Sequence, residues 1–74
     1  MKSLDKQIKG NHYLKFTIQP AEFINKNGLL WAEGNVIKYV CRHRDKGHAA
    51  DINKAMHYLE MIKERDYDEE TNAI

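Results

Sequence analysis

Three polar side chains in the middle of the sequence have the types and the spacing of an anion-binding site. Asn35, Lys38 and Arg42 lie at positions i, i+3 and i+7, so on one helix they share a face. Two cations four residues apart repel each other, which favours an anion, or carboxylates of another helix, between them. Guanidinium and ammonium groups both suit phosphate oxygens. We therefore predict a phosphate-binding face, with an internal ion pair between Arg42 and Asp51 as the alternative.

Tyrosines accompany these cations along the chain. Tyr39 follows Lys38, and Tyr58 lies in the segment AMHYLE. A ring beside a basic cluster commonly stacks a base while the cations hold its phosphate, although a tyrosine can also cap a small core. The predicted ligand contacts from this pattern are Asn35, Lys38, Tyr39, Arg42, Lys46 and Tyr58.

Other kinds of chemistry find little support in the residue types. Glu33, Asp51 and Glu60 are too widely spaced for a magnesium site, which needs several converging carboxylates. The single serine, Ser3, offers no nucleophilic triad, and no GxxxxGK[ST] loop is present to hold ATP. We therefore predict no metal site and assign no catalytic residue. Magnesium would matter only if the protein were an enzyme.

Two glycines and one aspartate are expected to have structural roles. Gly34 lies inside a helical pattern, where glycine costs about 1 kcal/mol relative to alanine. Either another helix packs closely there, or a ligand or second copy approaches the backbone. Gly47 is predicted to form a tight turn between two helices. Asp51 then lies in the first turn of the second of them, where the helix dipole favours a carboxylate.

Apolar spacing predicts a mainly α fold of three helices. The first covers the segment AEFINKNG and ends at Gly28; the second runs over about 29–45 and the third over about 48–66. The second and third should form a long antiparallel hairpin, preceded by an extended N-terminal arm. The predicted core residues are Phe23, Ile24, Leu29, Trp31 or Ala32, Val36, Ile37, Val40, Cys41, Ile52, Ala55, Met56, Leu59, Ile62 and Lys63. The predicted organisation is a flexible arm at 1–10, one helical domain at 11–66 and an acidic tail at 67–74.

Length and charge limit the function classes. A chain of 74 residues buries only about 60% of its unfolded surface, and the single cysteine excludes an intrachain disulfide. We therefore expect a homo-oligomer. The net charge is +1, with +3 over residues 38–46 and −4 over residues 60–70, which disfavours nucleic acid as a partner. The sequence contains neither an apolar run of about 18 residues nor a secretory signal. We therefore expect an intracellular protein without a membrane partner.

Four segments together resemble a small domain family of tailed phages. They are NHY at 11–13, IQPAEFI at 18–24, EGNVIKYVCRHRDKG at 33–47 and DINKAMHYLE at 51–60. Members of this family are named SaV-like or phage nucleotide kinase, and the domain is formally of unknown function. The resemblance covers residues 11–62. It implies a phage protein that acts in the host cytoplasm.

The kinase name comes from a longer phage protein that carries this domain and acts on deoxynucleoside monophosphates. This sequence lacks that extra length, so the resemblance implies nucleotide binding more directly than phosphoryl transfer. It adds His12, Tyr13 and Lys54 to the predicted ligand contacts. The positions that match the family pattern are His12, Tyr13, Glu33, Gly34, Asn35, Lys38, Tyr39, Arg42, Lys46, Asp51, Lys54 and Tyr58.

The sequence therefore predicts a small helical protein that binds a nucleotide or a similar phosphorylated ligand. In a phage this would serve nucleotide metabolism or the sequestration of a host signalling nucleotide. One alternative is an interaction protein that docks on a host factor and inhibits it. Another is a magnesium-dependent nucleotide kinase or pyrophosphohydrolase.

Overall fold

The described part of the chain consists of helices joined by irregular segments. A computed structural model describes residues 16–67. Within that range the chain forms α1 (Pro20–Lys26), α2 (Trp31–Arg42) and α3 (His48–Asp66), and no strand. The prediction of a mainly α fold with three helices is confirmed. The predicted arm at 1–10, the predicted ligand residues His12 and Tyr13, and residues 68–74 of the predicted tail lie outside the described residues.

Local signals at both ends position α1. Gln19 is extended, with φ −62° and ψ 135°, and Pro20 takes the first helical position, where its missing N–H is not needed. At the other end, the amide of Asn27 donates to the carbonyl of Phe23 at 2.8 Å. Gly28 then adopts φ +63°, a left-handed conformation that glycine takes at no steric cost. This agrees with the prediction that the first helix stops at Gly28.

The second helix is shorter than the sequence pattern predicts. Leu30 is extended, with φ −73° and ψ 167°, and precedes the first helical residue. At the other end, the carbonyl of Arg42 accepts the backbone N–H groups of both Asp45 and Lys46, at 3.0 and 3.1 Å. These bonds tighten the chain into turns at residues 43–47, so the predicted helix over 29–45 is wrong at both ends.

The third helix has the bounds that the sequence predicts, but it begins with an unusual residue. His48 has φ +49°, a left-handed conformation that is uncommon for residues with a side chain, although histidine tolerates it better than most. Its N–H donates to the carbonyl of His43 at 2.7 Å. This bond closes the turn from α2 into α3.

The interior of the described region is small. The residues classed as buried are Pro20, Ala32, Gly34, Asp51 and Ala55. Several predicted core residues are exposed instead, because they lie on surfaces that no other described element covers. They are Phe23, Leu29, Val40, Ile52, Met56 and Leu59, with exposed fractions between 36% and 56%. Of the alternatives Trp31 or Ala32, Ala32 is the buried one. Ile18, which precedes α1, is exposed as well, with an exposed fraction of 60%.

Contacts at both ends join α2 to α3. Arg42 in the last turn of α2 pairs with Asp51 in the first turn of α3, with Nε 2.9 Å from Oδ2. Glu33 in the first turn of α2 accepts two hydrogen bonds from Arg65 in the last turn of α3, one of them at 3.2 Å. Among residues 16–67, no helix is long and apolar enough to cross a membrane.

Candidate functional site

Three cationic side chains from two helices gather around the ring of Tyr39. The ammonium nitrogens of Lys38 and Lys54 each lie 5.3 Å from the ring centroid, and the guanidinium carbon of Arg42 lies 4.7 Å from it. Cations within about 6 Å of a ring centroid are attracted by the negative face of the ring. The ring of Tyr58 stacks on Tyr39, with centroids 5.9 Å apart and planes at 10°. We call these five residues the Tyr39 cluster.

The cluster is anchored by an internal ion pair. Arg42 donates from Nε and Nη2 to the two carboxylate oxygens of Asp51, at 2.9 and 3.1 Å. The Asp51 side chain is completely buried, and the Arg42 side chain is 16% exposed. The alternative predicted for Arg42, pairing with Asp51, is thus the geometry observed. Arg42 is held in place from inside the fold, and its guanidinium reaches the ring already positioned.

A third hydrogen bond holds Asp51 in place. The backbone N–H of Gly47 donates to Oδ2 of Asp51 at 3.0 Å. The hydrogen bonds from Arg42 lower the pKa of Asp51 most, against the raising effect of burial, with smaller lowering contributions from the Arg42 charge, the Gly47 N–H and the Lys54 charge. Asp51 is therefore ionised at neutral pH, and its negative charge is directed at Arg42.

Gly47 is required by this arrangement. A Cβ built on Gly47 would lie 2.1 Å from Cγ and Oδ1 of Asp51, far closer than real side chains approach. The glycine leaves room for the carboxylate to lie over the start of α3. Gly34 has a comparable reason on α2, since a Cβ there would lie 3.0 Å from Cγ2 of Ile24. Of the two explanations offered for Gly34, the structure shows close packing by α1.

A groove between α1 and α2 adjoins the cluster. It has a volume of about 500 Å³, within the range of small-molecule sites. Apolar side chains form much of its lining, and the polar groups are three amides and one ammonium. The lining residues are Gln19, Pro20, Ala21, Ile24, Asn25, Leu29, Leu30, Trp31, Gly34, Asn35 and Lys38. Lys38 belongs to both the groove and the Tyr39 cluster, so the two features are continuous.

Trp31 is a site residue that the sequence analysis missed. It was predicted as one of two alternative core residues, but its exposed fraction is 67% and it lines the groove. Its ring meets Tyr58 edge-on, with centroids 5.2 Å apart and planes at 84°. The signal was present, because Trp31 lies four residues before Asn35 and seven before Lys38 and so shares their helix face.

The predicted ligand residues fall into two groups. The structure brings together Lys38, Tyr39, Arg42, Lys54 and Tyr58 in the cluster, with Asn35 beside them in the groove. Lys46 lies in the turn between α2 and α3, where its backbone N–H donates to the carbonyl of Arg42 at 3.1 Å.

Three of the predicted ligand residues, Asn35, Tyr39 and Tyr58, also make contacts within the protein. Nδ2 of Asn35 donates to the carbonyl of Trp31 at 2.9 Å, which leaves its Oδ1 to accept a hydrogen bond. The two tyrosines stack on each other, so Trp31 provides the exposed aromatic surface.

Two of the three carboxylates considered for a metal are used in ion pairs. Glu33 accepts from Arg65, and this bond lowers the pKa of Glu33 most. Asp51 accepts from Arg42. Within residues 16–67, no group of three or more metal-ligating side chains is arranged to hold an ion.

The comparison with known proteins gives a family without an activity. Residues 8–60 match a family described as a protein of unknown function, DUF3310. The chain belongs to the DUF3310 family. No curated protein and no solved structure matches it. The Tyr39 cluster and the α1–α2 groove both lie inside the segment that defines the DUF3310 domain, since their residues fall between 19 and 58.

Proposed function

We propose that this protein binds a nucleotide, or a similar phosphorylated ligand with an apolar part, across the α1–α2 groove and the Tyr39 cluster. The observation that carries the proposal is the position of Lys38. Its ammonium group lies over Tyr39 together with two other cations, and the same side chain lines the groove. A ligand in the groove therefore reaches the cationic cluster without leaving the protein surface.

The groove suits the base and sugar of such a ligand. Trp31 and Leu30 provide exposed apolar surface, with exposed fractions of 67% and 57%, and stacking of a base on an aromatic ring contributes about 1–3 kcal/mol. Oδ1 of Asn35 and the side-chain amides of Gln19 and Asn25 supply hydrogen-bonding groups at its wall. A few polar groups in an apolar groove orient a ligand while burial provides most of the affinity.

The cluster suits the phosphate. Lys38 projects from α2 and Lys54 from α3, and both ammonium groups lie 5.3 Å from the same ring centroid. A phosphate group bound beside this ring would therefore be attracted by ammonium groups of both helices. Because Arg42 is paired with the ionised Asp51, its charge is largely compensated, and Lys38 and Lys54 supply the net positive charge of the cluster.

The wider proposal places this binding activity in a phage. There it would serve nucleotide metabolism or the sequestration of a host signalling nucleotide in the host cytoplasm. We further propose that α2 and α3 form an antiparallel hairpin. The Arg42–Asp51 and Glu33–Arg65 pairs at its two ends support this arrangement.

A thermal-shift screen of mono-, di- and cyclic nucleotides tests the proposal. At a ligand concentration about ten times Kd, binding to the native state adds about 1.4 kcal/mol. This raises the Tm of a domain of this size by roughly 6–11 °C. The variant Lys38→Gln/Lys54→Gln should lose most of the shift. The matched control Lys26→Gln/Lys63→Gln removes the same charge outside the cluster and should keep it.

Two results would contradict nucleotide binding at this site. One is the absence of any shift with every nucleotide at millimolar concentration. The other is an equal loss of the shift in both double variants, which would show that only the overall charge matters. Phosphate release from a nucleotide incubated with magnesium would instead favour the enzymatic alternative.

A further inference from the structure

A stripe of exposed apolar side chains runs along α3. It consists of Ile52, Met56 and Leu59, with exposed fractions of 37%, 56% and 49%, at positions i, i+4 and i+7. These residues lie on one side of the helix. We call them the α3 stripe. A contiguous apolar surface of this kind on a small protein is typical of an interface.

The stripe lies beside the packed face of α3. Each of its residues directly follows a residue that faces α2, namely Asp51, Ala55 and Tyr58, so the stripe is rotated by about 100° from that face. Lys54 precedes Ala55 and is rotated in the opposite direction. The α3 stripe and the Tyr39 cluster therefore lie on opposite sides of α3, and a partner on the stripe leaves the cluster open.

The apolar interior of the described region is small, and a partner on the α3 stripe would extend it. Ala32 and Ala55 are the buried hydrophobic side chains of residues 16–67, and two alanines provide little of the apolar burial that stabilises a domain. Chains of this length commonly complete their core with a partner subunit. A second copy is always available to supply the same apolar side chains.

The charges at the two ends of α3 favour one relative direction of the two α3 helices in a dimer. Arg44 and Lys46 are exposed at the turn before α3, and Glu60 and Glu64 are exposed towards its other end. Residues 43–47 carry a net charge of +1, and residues 60–66 of α3 carry a net charge of −1. If two α3 helices lie antiparallel about Met56, Glu64 of one copy is level with His48 of the other, two residues from Lys46. A parallel arrangement would place acid against acid.

We propose that two copies of this chain associate through the α3 stripe, with their α3 helices antiparallel. Ile52, Met56 and Leu59 of both copies form the apolar centre. The acidic end of each α3 lies beside the basic turn of the other copy. Opposite charges at the edge of an interface fix its register and speed association, while the apolar centre provides the affinity.

Sedimentation velocity of the full chain over micromolar to millimolar concentrations tests the centre of the interface. The wild-type protein should be a dimer, and Met56→Glu should be a monomer with unchanged helical circular dichroism. Ile18→Glu, which places the same charge at a 60% exposed position outside α3, should remain a dimer. A monomeric wild-type protein, or a Met56→Glu variant that dimerises like the wild type, would overturn the proposal.

Cysteine crosslinking tests the same contact without weakening the fold. In a Cys41→Ala background, Met56→Cys should form an interchain disulfide on mild oxidation, because residues at the two-fold axis bring their Cβ atoms close together. His57→Cys, rotated by about 100° on the helix, should form far less. Equal crosslinking of the two variants would contradict the placement of the interface.

A charge swap tests the antiparallel direction. Glu60→Lys/Glu64→Lys and Arg44→Glu/Lys46→Glu should each raise the dimer Kd about tenfold, since they place like charges at the edge of the interface. The chain that carries all four substitutions should recover dimerisation, because its reversed charges again face each other. Failure of the combined variant to recover would exclude the antiparallel arrangement.

Discussion

Replacement of Gly47 by alanine tests whether the turn between α2 and α3 exists to hold Asp51. Gly47 has φ −91° and ψ −10°, a conformation open to any residue, so an alanine meets no backbone strain. Its Cβ would nevertheless lie 2.1 Å from Cγ of Asp51, where ordinary contacts begin at 3.4 Å. The carboxylate must therefore move by about 1.3 Å. A shift of that size cannot keep all three of its hydrogen bonds, which span 2.9 to 3.1 Å.

The expected magnitude follows from two opposing effects. Overpacking of a well-packed site costs about 1–3 kcal/mol. Alanine restricts the unfolded chain and so returns about 0.4–1 kcal/mol. We therefore expect Gly47→Ala to lower the free energy of unfolding by up to about 2.6 kcal/mol. The middle of that range, about 1.3 kcal/mol, lowers the Tm of a domain of this size by roughly 5–10 °C.

Urea denaturation followed by circular dichroism measures this change, and a second background isolates its cause. In an Asp51→Ala chain the carboxylate is gone, so Gly47→Ala should become neutral or stabilising by about 0.4–1 kcal/mol. Gly28→Ala is the matched control. Gly28 has φ +63°, so alanine there should cost about 1 kcal/mol or more in both backgrounds.

The decisive result is whether Gly47→Ala, which destabilises the wild-type protein, becomes neutral or stabilising in the Asp51→Ala chain. If Gly47→Ala lowers the free energy of unfolding equally with and without the Asp51 carboxylate, the proposed steric cause is wrong. If Gly28→Ala is also relieved by Asp51→Ala, the two glycines do not differ in the way the structure indicates.

Three further predictions concern stability. His48 has φ +49°, so His48→Val should destabilise the protein by at least about 1 kcal/mol, while His48→Gly should be neutral or stabilising; thermal unfolding measures both, and equal effects would contradict the left-handed conformation. Gly34→Ala gains about 1 kcal/mol of helix propensity against the 3.0 Å contact with Ile24. It should therefore be more stabilising in an Ile24→Ala chain than in the wild type, and an equal urea midpoint shift in both would argue against that contact. Hydrogen bonds from Arg42 lower the pKa of Asp51 below its ordinary value of 3.8, so the stability it contributes is complete above that pH and is lost as the pH falls through the lowered pKa. The difference in urea midpoint between wild type and Asp51→Asn should therefore narrow on acidification, and a constant difference would contradict the sign of the shift.

The bounds of a helix could be predicted from the sequence where its end signals and its apolar spacing agree. The third helix was predicted with its observed bounds, because a glycine, an early aspartate and a regular apolar spacing all agree over 48–66. The second helix was predicted too long. The carbonyl of Arg42 forms turn bonds with Asp45 and Lys46, and apolar periodicity contains no information about that choice.

Burial was predicted less well than helix position. Periodicity identifies the apolar face of a helix, but it does not say which neighbour covers that face. Val40 and Met56 were therefore predicted as core residues, yet both are exposed in the described chain. The Arg42–Asp51 pair could be offered only as one of two alternatives, since both partners suit an ion pair and Arg42 equally suits a phosphate.

An NMR titration with a deoxynucleoside monophosphate tests the central claim most directly. The chain contains a single tryptophan, so the indole N–H of Trp31 is an unambiguous reporter of the groove. Resonances of Lys38 and Lys54 report the cluster. Our account predicts that the indole and both lysines shift together with one saturating Kd, while Lys26 on α1 does not. Shifts spread evenly over all exposed basic residues without saturation, or no shift of the indole, would contradict it.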